Sequence, residues 1–105
     1  MNHLYKICAK REWQAACETG AYTGSADDRR DGFIHLSASH QVAATLERHF
    51  AGQSGLVLVA FTENDLTGLK WETSRGGQLF PHVYGPLPTT KAKWVKDLPL
   101  SEALV

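Results

Sequence analysis

The longest uncharged apolar run of the chain follows Gly55 and reads Leu56-Val57-Leu58-Val59-Ala60-Phe61. Its residues are apolar at both odd and even positions, so a strand formed here is covered on both faces. The run therefore predicts the central strand of a β-sheet. It is far too short to cross a bilayer, because a spanning helix needs about 20 apolar residues.

Two helices and about five or six short strands are predicted around this central strand. An apolar stripe closed by Gly20 predicts a helix over residues 10–19, and a stripe repeated every four residues predicts another over 39–50. The segment 21–31 carries a glycine, a serine and the charge run Asp27-Asp28-Arg29-Arg30-Asp31, so it is predicted to be an exposed loop with solvated charges. We expect strands at 4–8, 33–37, 56–61, 69–73 and 92–96, and short extended pieces separated by Pro81, Pro86 and Pro88.

The size and charge of the chain limit its function. Its 105 residues suffice for one α+β domain, 1–105, with one core and no separate cofactor domain. Eleven basic and eleven acidic side chains cancel, so nothing favours general nucleic-acid binding or an anionic membrane. Charges interrupt the N-terminal segment early, which predicts a soluble cytoplasmic protein, and the oligomeric state stays open. Cys8 and Cys17 form no CxxC pair and are expected to be buried, reduced thiols.

Polar residues interrupt an apolar strand at Gly32-Phe33-Ile34-His35-Leu36-Ser37. In a strand, His35 and Ser37 share one face with Phe33, while the two aliphatic residues share the other. His35 is then either part of a polar pocket or a buried histidine bonded to a backbone carbonyl.

A second motif of the same kind is Phe80-Pro81-His82-Val83-Tyr84-Gly85-Pro86-Leu87. His82 and Tyr84 share a face if this segment is extended, and Pro81 restricts the backbone beside them. Glu72 is the natural third member of the site, because a carboxylate near two imidazoles acts as a general base or orients one of them. Its alternative is a surface glutamate at the rim.

The residue types of this group also suit an anion or a metal. Lys6 and Arg75, with the backbone N–H groups of Gly76 and Gly77, are candidates for a phosphate clamp, and a plain mobile loop is the alternative. His35, Glu72 and His82 are acceptable zinc ligands, but their spacing matches no zinc motif, so no metal is assigned.

The chain resembles a family of small uncharacterised bacterial proteins of unknown function, sometimes labelled glutathione-transferase-like. The resemblance is carried by Leu4-Tyr5-Lys6-Ile7, by Gly32 to Ser37 and by Phe80 to Leu87. More remotely, this family is similar to the ADP-ribosyltransferase superfamily, which binds NAD between two small sheets. That similarity implies a split-sheet fold, with Lys6 anchoring the dinucleotide, His35 contacting the nicotinamide and Glu72 engaging the ribose. At Lys6 the family usually has a histidine, whose donor and acceptor pattern a lysine does not reproduce.

The leading hypothesis is a protein that binds NAD or a related nucleotide, with ADP-ribosyl transfer or NAD hydrolysis at His35 and Glu72. Lys6, Ser37, Arg75, His82 and Tyr84 are the expected ligand-binding residues. NAD would be a substrate, and no resident cofactor is assigned. The rival hypothesis is a non-enzymatic small-molecule or protein-interaction module with structural histidines, in which Trp71, Tyr84 and Trp94 form an aromatic recognition surface.

Overall fold

The computed structural model describes residues 2–100, apart from the side chain of Arg75. Within that range the chain forms three α-helices and nine strands, with short 3₁₀ turns between them. The helices are α1 (Lys10–Thr19), α2 (Ala26–Asp31) and α3 (Val42–His49). The strands are β1 (His3–Ala9), β2 (Ala21–Tyr22), β3 (Ile34–His35), β4 (Ser37–Ala38), β5 (Leu56–Thr62), β6 (Leu69–Thr73), β7 (Leu79–Val83), β8 (Leu87–Pro88) and β9 (Trp94–Asp97).

The strands form three antiparallel sheets. The first sheet has the order β4-β1-β5-β9, the second has the order β3-β7-β6, and β2 pairs with β8 alone. The prediction of a central strand is confirmed, because β5 is paired on both sides and buried along its whole length. None of the helices in residues 2–100 is long and apolar enough to span a bilayer.

The core lies on both faces of the first sheet. On one face Val57, Val59 and Phe61 pack with Trp13 of α1, and the Trp13 and Phe61 rings meet edge to face with their centroids 6.2 Å apart. On the other face Leu58 and Ala60 pack with a smaller cluster, which includes Tyr5, Ile7, Val42 and Leu56. Each fully buried aliphatic or aromatic side chain contributes about 1.5–3 kcal/mol to stability, so β5 anchors both halves of the core.

The strand predicted over 33–37 is divided between two sheets. β3 pairs with β7 in the second sheet, whereas β4 pairs with β1 in the first. Leu36 lies between them, buried in the core, with its backbone N–H donating to Pro81 O at 3.0 Å. The chain therefore crosses from one sheet to the other within this motif, and the prediction of a single strand was wrong.

Four further predictions need correction. The segment 21–31 is not an exposed loop, because it contains β2 and α2 and buries Asp28, so its charges are not all solvated. The described residues form three helices and not two, and the third is shorter than predicted because a 3₁₀ turn, Ser39–Gln41, precedes it. The described strands number nine, since several are only two residues long. Cys8 is buried, but Cys17 is exposed on α1.

Candidate functional site

The polar residues of both motifs share one face of the second sheet. In the antiparallel register His35 lies opposite His82, and His82 lies opposite Lys70 on β6. Residues directly opposite in an antiparallel pair project from the same face, so Glu72, two residues along β6 from Lys70, lies on this face too. The other face is apolar: Ile34, Val83 and Leu69 lie across from one another and belong to the core.

Helix α2 delivers a carboxylate to the edge of this polar face. Ser25 caps the helix, because its Oγ accepts a hydrogen bond from Asp28 N at 3.2 Å while Asp28 Oδ2 accepts one from Ser25 N at 2.9 Å. Gly32 ends the helix with a left-handed φ of 85°. Gly24 makes room for the carboxylate, since a Cβ at that position would lie 2.8 Å from Asp28 Cβ. The short helix thus holds Asp28 in one orientation.

Asp28 contacts both Lys6 and His35. Lys6 Nζ lies 2.8 Å from Asp28 Oδ2 and also donates to His35 O at 3.0 Å. Asp28 Oδ1 accepts from His35 N at 3.1 Å and lies 2.6 Å from His35 Nδ1. Both Lys6 and Asp28 are almost fully buried. Burial by itself would raise the pKa of Asp28, but the hydrogen bond from His35 and the charge of Lys6 outweigh it and hold that pKa far below its usual range.

His35 contacts a second carboxylate at its other ring nitrogen. Nε2 lies 3.0 Å from Asp31 Oδ2, and Asp31 is also paired with Arg30, whose Nε lies 3.1 Å from Asp31 Oδ1. Both ring nitrogens therefore lie within hydrogen-bond distance of a carboxylate oxygen, and only the imidazolium form donates from both. The imidazole of His35 is held between Asp28 and Asp31.

His82 is oriented by Glu72 of the neighbouring strand β6. Its Nδ1 lies 2.8 Å from Glu72 Oε1, which also accepts a hydrogen bond from Tyr84 OH at 2.7 Å. The hydrogen bond from His82, followed by that from Tyr84, lowers the pKa of Glu72, and the hydrogen bond to Glu72 raises the pKa of Tyr84. With Nδ1 donating to Glu72, neutral His82 presents Nε2 as an acceptor, and this nitrogen has no hydrogen-bond partner among the described residues.

Phe33 packs against the two histidines. Its ring stacks on His82 with the centroids 4.0 Å apart and lies 4.7 Å from the ring of His35. The two imidazoles lie 5.5 Å apart and meet edge to face. This packing restricts both histidine rotamers, so the site presents the two rings in a defined arrangement.

A pocket of about 300 Å³ opens beside the histidine pair. The sheet side contributes His35, Ser37 and His82, and α3 contributes Thr45, whose hydroxyl lies 3.3 Å from that of Ser37. Among the described side chains, both cations that line the pocket, Lys6 and Arg30, are paired with carboxylates. The wall is therefore polar but close to charge balance. The remaining lining residues are Ile7, Ser25, Asp27, Asp28, Asp31, His49, Phe50, Ser74 and Phe80.

The structure brings some of the predicted site residues together and separates others. Lys6, His35, Ser37 and His82 all line the pocket. Glu72 and Tyr84 do not line the pocket. They are connected to it by the hydrogen bond between Glu72 and His82. Lys6 does not present a free ammonium, because Asp28 and a backbone carbonyl already accept from it. The side chain of Arg75 lies outside the described part of the structure. No group of three or more potential metal ligands is found among the described residues.

Sequence reasoning missed Asp28 and Asp31, the two carboxylates that hold His35. Two signals point to them. Ser25 followed three residues later by an acidic residue, with Gly32 beyond, is a helix-capping pattern. Lys6 lies in the middle of an apolar strand, and a lysine buried there needs a carboxylate partner.

Comparison with known proteins agrees with this description of the chain. Residues 7–95 match the family described as "Protein of unknown function (DUF952)". The chain belongs to the DUF952 family. The matched range contains both histidine motifs and all of α2. No curated protein matches the chain.

The DUF952 chain is similar to solved structures of one protein, CC0527 from Caulobacter crescentus. Its crystal structure shares 46% sequence identity with a TM-score of 0.89, and the match covers 96% of this chain and 90% of that one. A double methionine variant of CC0527 gives 45% identity and the same TM-score and coverage. Its solution NMR structure gives 45% identity and a TM-score of 0.80, covering 94% and 86% of the two chains.

Proposed function

We propose that the pocket beside His35 and His82 binds NAD or a related nucleotide. The observation that carries this proposal is the His82 ring, which Glu72 orients, Phe33 stacks against and no described residue bonds at Nε2. An acceptor nitrogen held rigidly in a polar pocket recognises an N–H or O–H donor, such as a carboxamide or a ribose hydroxyl. A nicotinamide nucleoside carries both groups.

The arrangement of the sheets supports the same ligand class. The four-stranded and three-stranded sheets are separate, and the chain crosses between them at Leu36. The pocket lies where they meet, between Ser37 of the first sheet and His82 of the second. This separation supports the proposal, because a resemblance to ADP-ribosyltransferases implies a site between two small sheets. A volume of about 300 Å³ lies at the lower end of the range for ligand pockets, so it suits the nicotinamide–ribose end of the molecule, with the remainder outside.

Binding and bond cleavage rest on different residues. Cleavage of the nicotinamide–ribose bond builds positive charge on the ribose, which a nearby carboxylate stabilises. Glu72 is the residue proposed for that role, and its side chain is 37% exposed, but Oε1 is already engaged by His82 and Tyr84. Binding is therefore the function we propose for the pocket, with Glu72 as the residue that positions His82. ADP-ribosyl transfer or NAD hydrolysis is a separate proposition that an assay of nicotinamide release decides.

A titration followed by NMR tests the proposal. NAD, ADP-ribose and nicotinamide are each added to the ¹⁵N-labelled protein while the amide shifts of Phe33, His35 and His82 are recorded. We expect saturable shifts at these residues and about five- to twelvefold weaker binding by His82→Gln, because one hydrogen bond of about 1–1.5 kcal/mol is lost. His40→Gln is the control, since His40 is exposed and does not line this pocket. Unchanged shifts near His35 and His82 at millimolar ligand would refute nucleotide binding.

The rival proposal of an aromatic recognition surface finds less support in the geometry. Trp71 and Tyr84 lie on opposite faces of the second sheet, because Tyr84 bonds Glu72, the neighbour of Trp71 on β6. Trp94 lies in the first sheet and packs against Tyr5, with the ring centroids 5.8 Å apart. The three aromatic side chains therefore do not form one continuous surface.

A further inference from the structure

Asp31 sits in a position that a helix does not favour. It is the last residue of α2, where the backbone carbonyls carry partial negative charge and an acidic side chain is repelled. Its carboxylate nevertheless contacts both the guanidinium of Arg30 and the imidazole of His35. Arg30 approaches it with Nε at 3.1 Å and Nη2 at 3.5 Å, and His35 Nε2 approaches it at 3.0 Å. This contact set needs an explanation beyond helix stability.

An arginine fork and a histidine ring nitrogen that converge on one carboxylate make an arrangement that proteins use to bind anions. The guanidinium presents parallel donors that match the oxygens of a carboxylate or a phosphate. His35 adds a third donor from a ring that Asp28 and Phe33 hold in place. Here the anion is the carboxylate of Asp31, whose side chain is 33% exposed and lines the pocket.

The charges around the pocket favour an exchange of one anion for another. The lining carboxylates Asp27, Asp28 and Asp31 face Lys6, Arg30 and the ring nitrogens of His35. If the Asp31 side chain rotates out to solvent, Arg30 and His35 Nε2 lose one negative partner. Asp28 does not replace that partner, because Lys6 already neutralises it. The vacated position is then suited to an anionic group of a ligand.

We propose that Asp31 is a built-in occupant of an anion site formed by Arg30 and His35, and that a phosphate group of the ligand displaces it. This inference rests on the proposed nucleotide and assigns its phosphate to the mouth of the pocket. Asp31 thereby sets the affinity of this site for anions. A ligand without an anionic group leaves the Asp31 carboxylate in place, whereas a ligand with a phosphate displaces it.

The inference is tested with inorganic phosphate and AMP, following the Nε2 and Hε1 resonances of His35. We compare the wild type with Asp31→Ala and with Asp27→Ala. The second variant removes the same charge from the same arginine, since Asp27 Oδ1 lies 3.1 Å from Arg30 Nη1, whereas the carboxylates beside His35 are those of Asp28 and Asp31. If Asp31 occupies the site at least about nine-tenths of the time, its removal tightens phosphate binding about tenfold or more.

The two variants separate local displacement from a general change of charge. We expect about a tenfold or larger gain for Asp31→Ala and less than about a threefold change for Asp27→Ala. Equal affinities in the wild type and Asp31→Ala, or equal gains in both variants, would overturn the inference. Asp31→Asn provides a second variant, with thermal melting as the check that each protein folds.

Failure of this inference is distinguishable from failure of the proposed function. If nucleotides shift Phe33 and His82 equally in the wild type and in Asp31→Ala, the pocket binds nucleotide but Asp31 is not the occupant. If phosphate binds more tightly to Asp31→Ala while NAD and AMP fail to reach His82, the anion site stands and nucleotide binding is refuted. Absence of any binding to all variants refutes both.

Discussion

Replacing Asp28 with asparagine should destabilise the protein more than any change to an exposed charge of α2. The carboxylate accepts four hydrogen bonds, from Lys6 Nζ, Ser25 N, His35 N and His35 Nδ1. Asparagine keeps the shape but removes the charge and turns an N–H₂ group towards donors on one side. Lys6 then keeps a buried ammonium with no counter-charge from this residue, because its side chain is only 5% exposed.

Breaking a buried ion pair by removing one partner costs about 3–5 kcal/mol, against a total stability of about 5–15 kcal/mol for a domain. With a urea dependence of about 2 kcal/mol per M, Asp28→Asn should lower the unfolding midpoint by about 2 M. Tryptophan fluorescence in urea measures that midpoint, and Trp13 is a buried reporter. Asp27→Asn is the matched control: its pair with Arg30 is exposed, so we expect a change of less than about 1 kcal/mol.

A double-mutant cycle shows whether the cost comes from the ion pair. Lys6→Met also leaves one buried charge unpaired, so alone it should cost about as much as Asp28→Asn. The combination of the two removes both charges, and we expect it to cost at least about 2 kcal/mol less than the sum. Additive losses, or a loss below about 1 kcal/mol for Asp28→Asn, would refute the account of Lys6 and Asp28 as a buried and mutually dependent pair.

Asp28→Asn should also change how the stability of the protein responds to acid. The folded pKa of Asp28 is held well below the value of about 3.9 for an unfolded aspartate. The unfolded chain therefore takes up this proton at a higher pH than the folded protein does. The stabilisation is complete above about pH 5 and is lost as the pH falls through the unfolded pKa towards the folded one. Asp28→Asn should show a shallower loss of stability below pH 5, measured by urea unfolding at a series of pH values.

Two further predictions concern other parts of the fold. Under native conditions a thiol reagent should label Cys17 and leave Cys8 unmodified, because Cys8 is buried and burial raises the pKa of its thiol to about 11. Mass spectrometry identifies the labelled cysteine, and equal labelling of both would contradict this prediction. In urea unfolding, Gly68→Ala should lower the free energy of unfolding by at least about 1–2 kcal/mol more than Gly52→Ala. Both glycines have a positive φ, but a Cβ at Gly68 would lie 2.6 Å from Tyr84 O, whereas a Cβ at Gly52 meets no atom within 4 Å. Similar losses of stability in the two variants would show that the backbone relaxes around Gly68.

The elements predicted well are those whose signals are local. The helix at 10–19 was predicted with its observed bounds, because its apolar stripe and the left-handed Gly20 occur within one short segment. The strands at 56–61 and 69–73 were likewise placed correctly, the first because it is apolar on both faces and the second because it lies between turn residues. Local periodicity and capping were sufficient in these cases.

The elements predicted badly depend on contacts distant in sequence. Helix α2 has six residues and no apolar stripe, so its charges resemble those of a loop. Its one buried residue, Asp28, pairs with Lys6, which lies 22 residues earlier in the chain. The two-residue strands β3 and β4 are defined by partners in different sheets and cannot be separated by periodicity alone. The histidines were singled out because they are polar residues in apolar strands, whereas the carboxylates that orient His35 were assigned to solvent.

The Asp28 carboxylate has two roles that cannot be separated by mutating it. It neutralises Lys6 inside the fold, and it holds His35 at the pocket. A loss of ligand binding in Asp28→Asn would therefore follow from either effect. Asp31 and His82 provide the informative substitutions, because each contacts the pocket from its surface and neither is the counter-charge of the buried lysine. Stability should therefore be tested at Asp28, and recognition at Asp31 and His82, which both line the pocket.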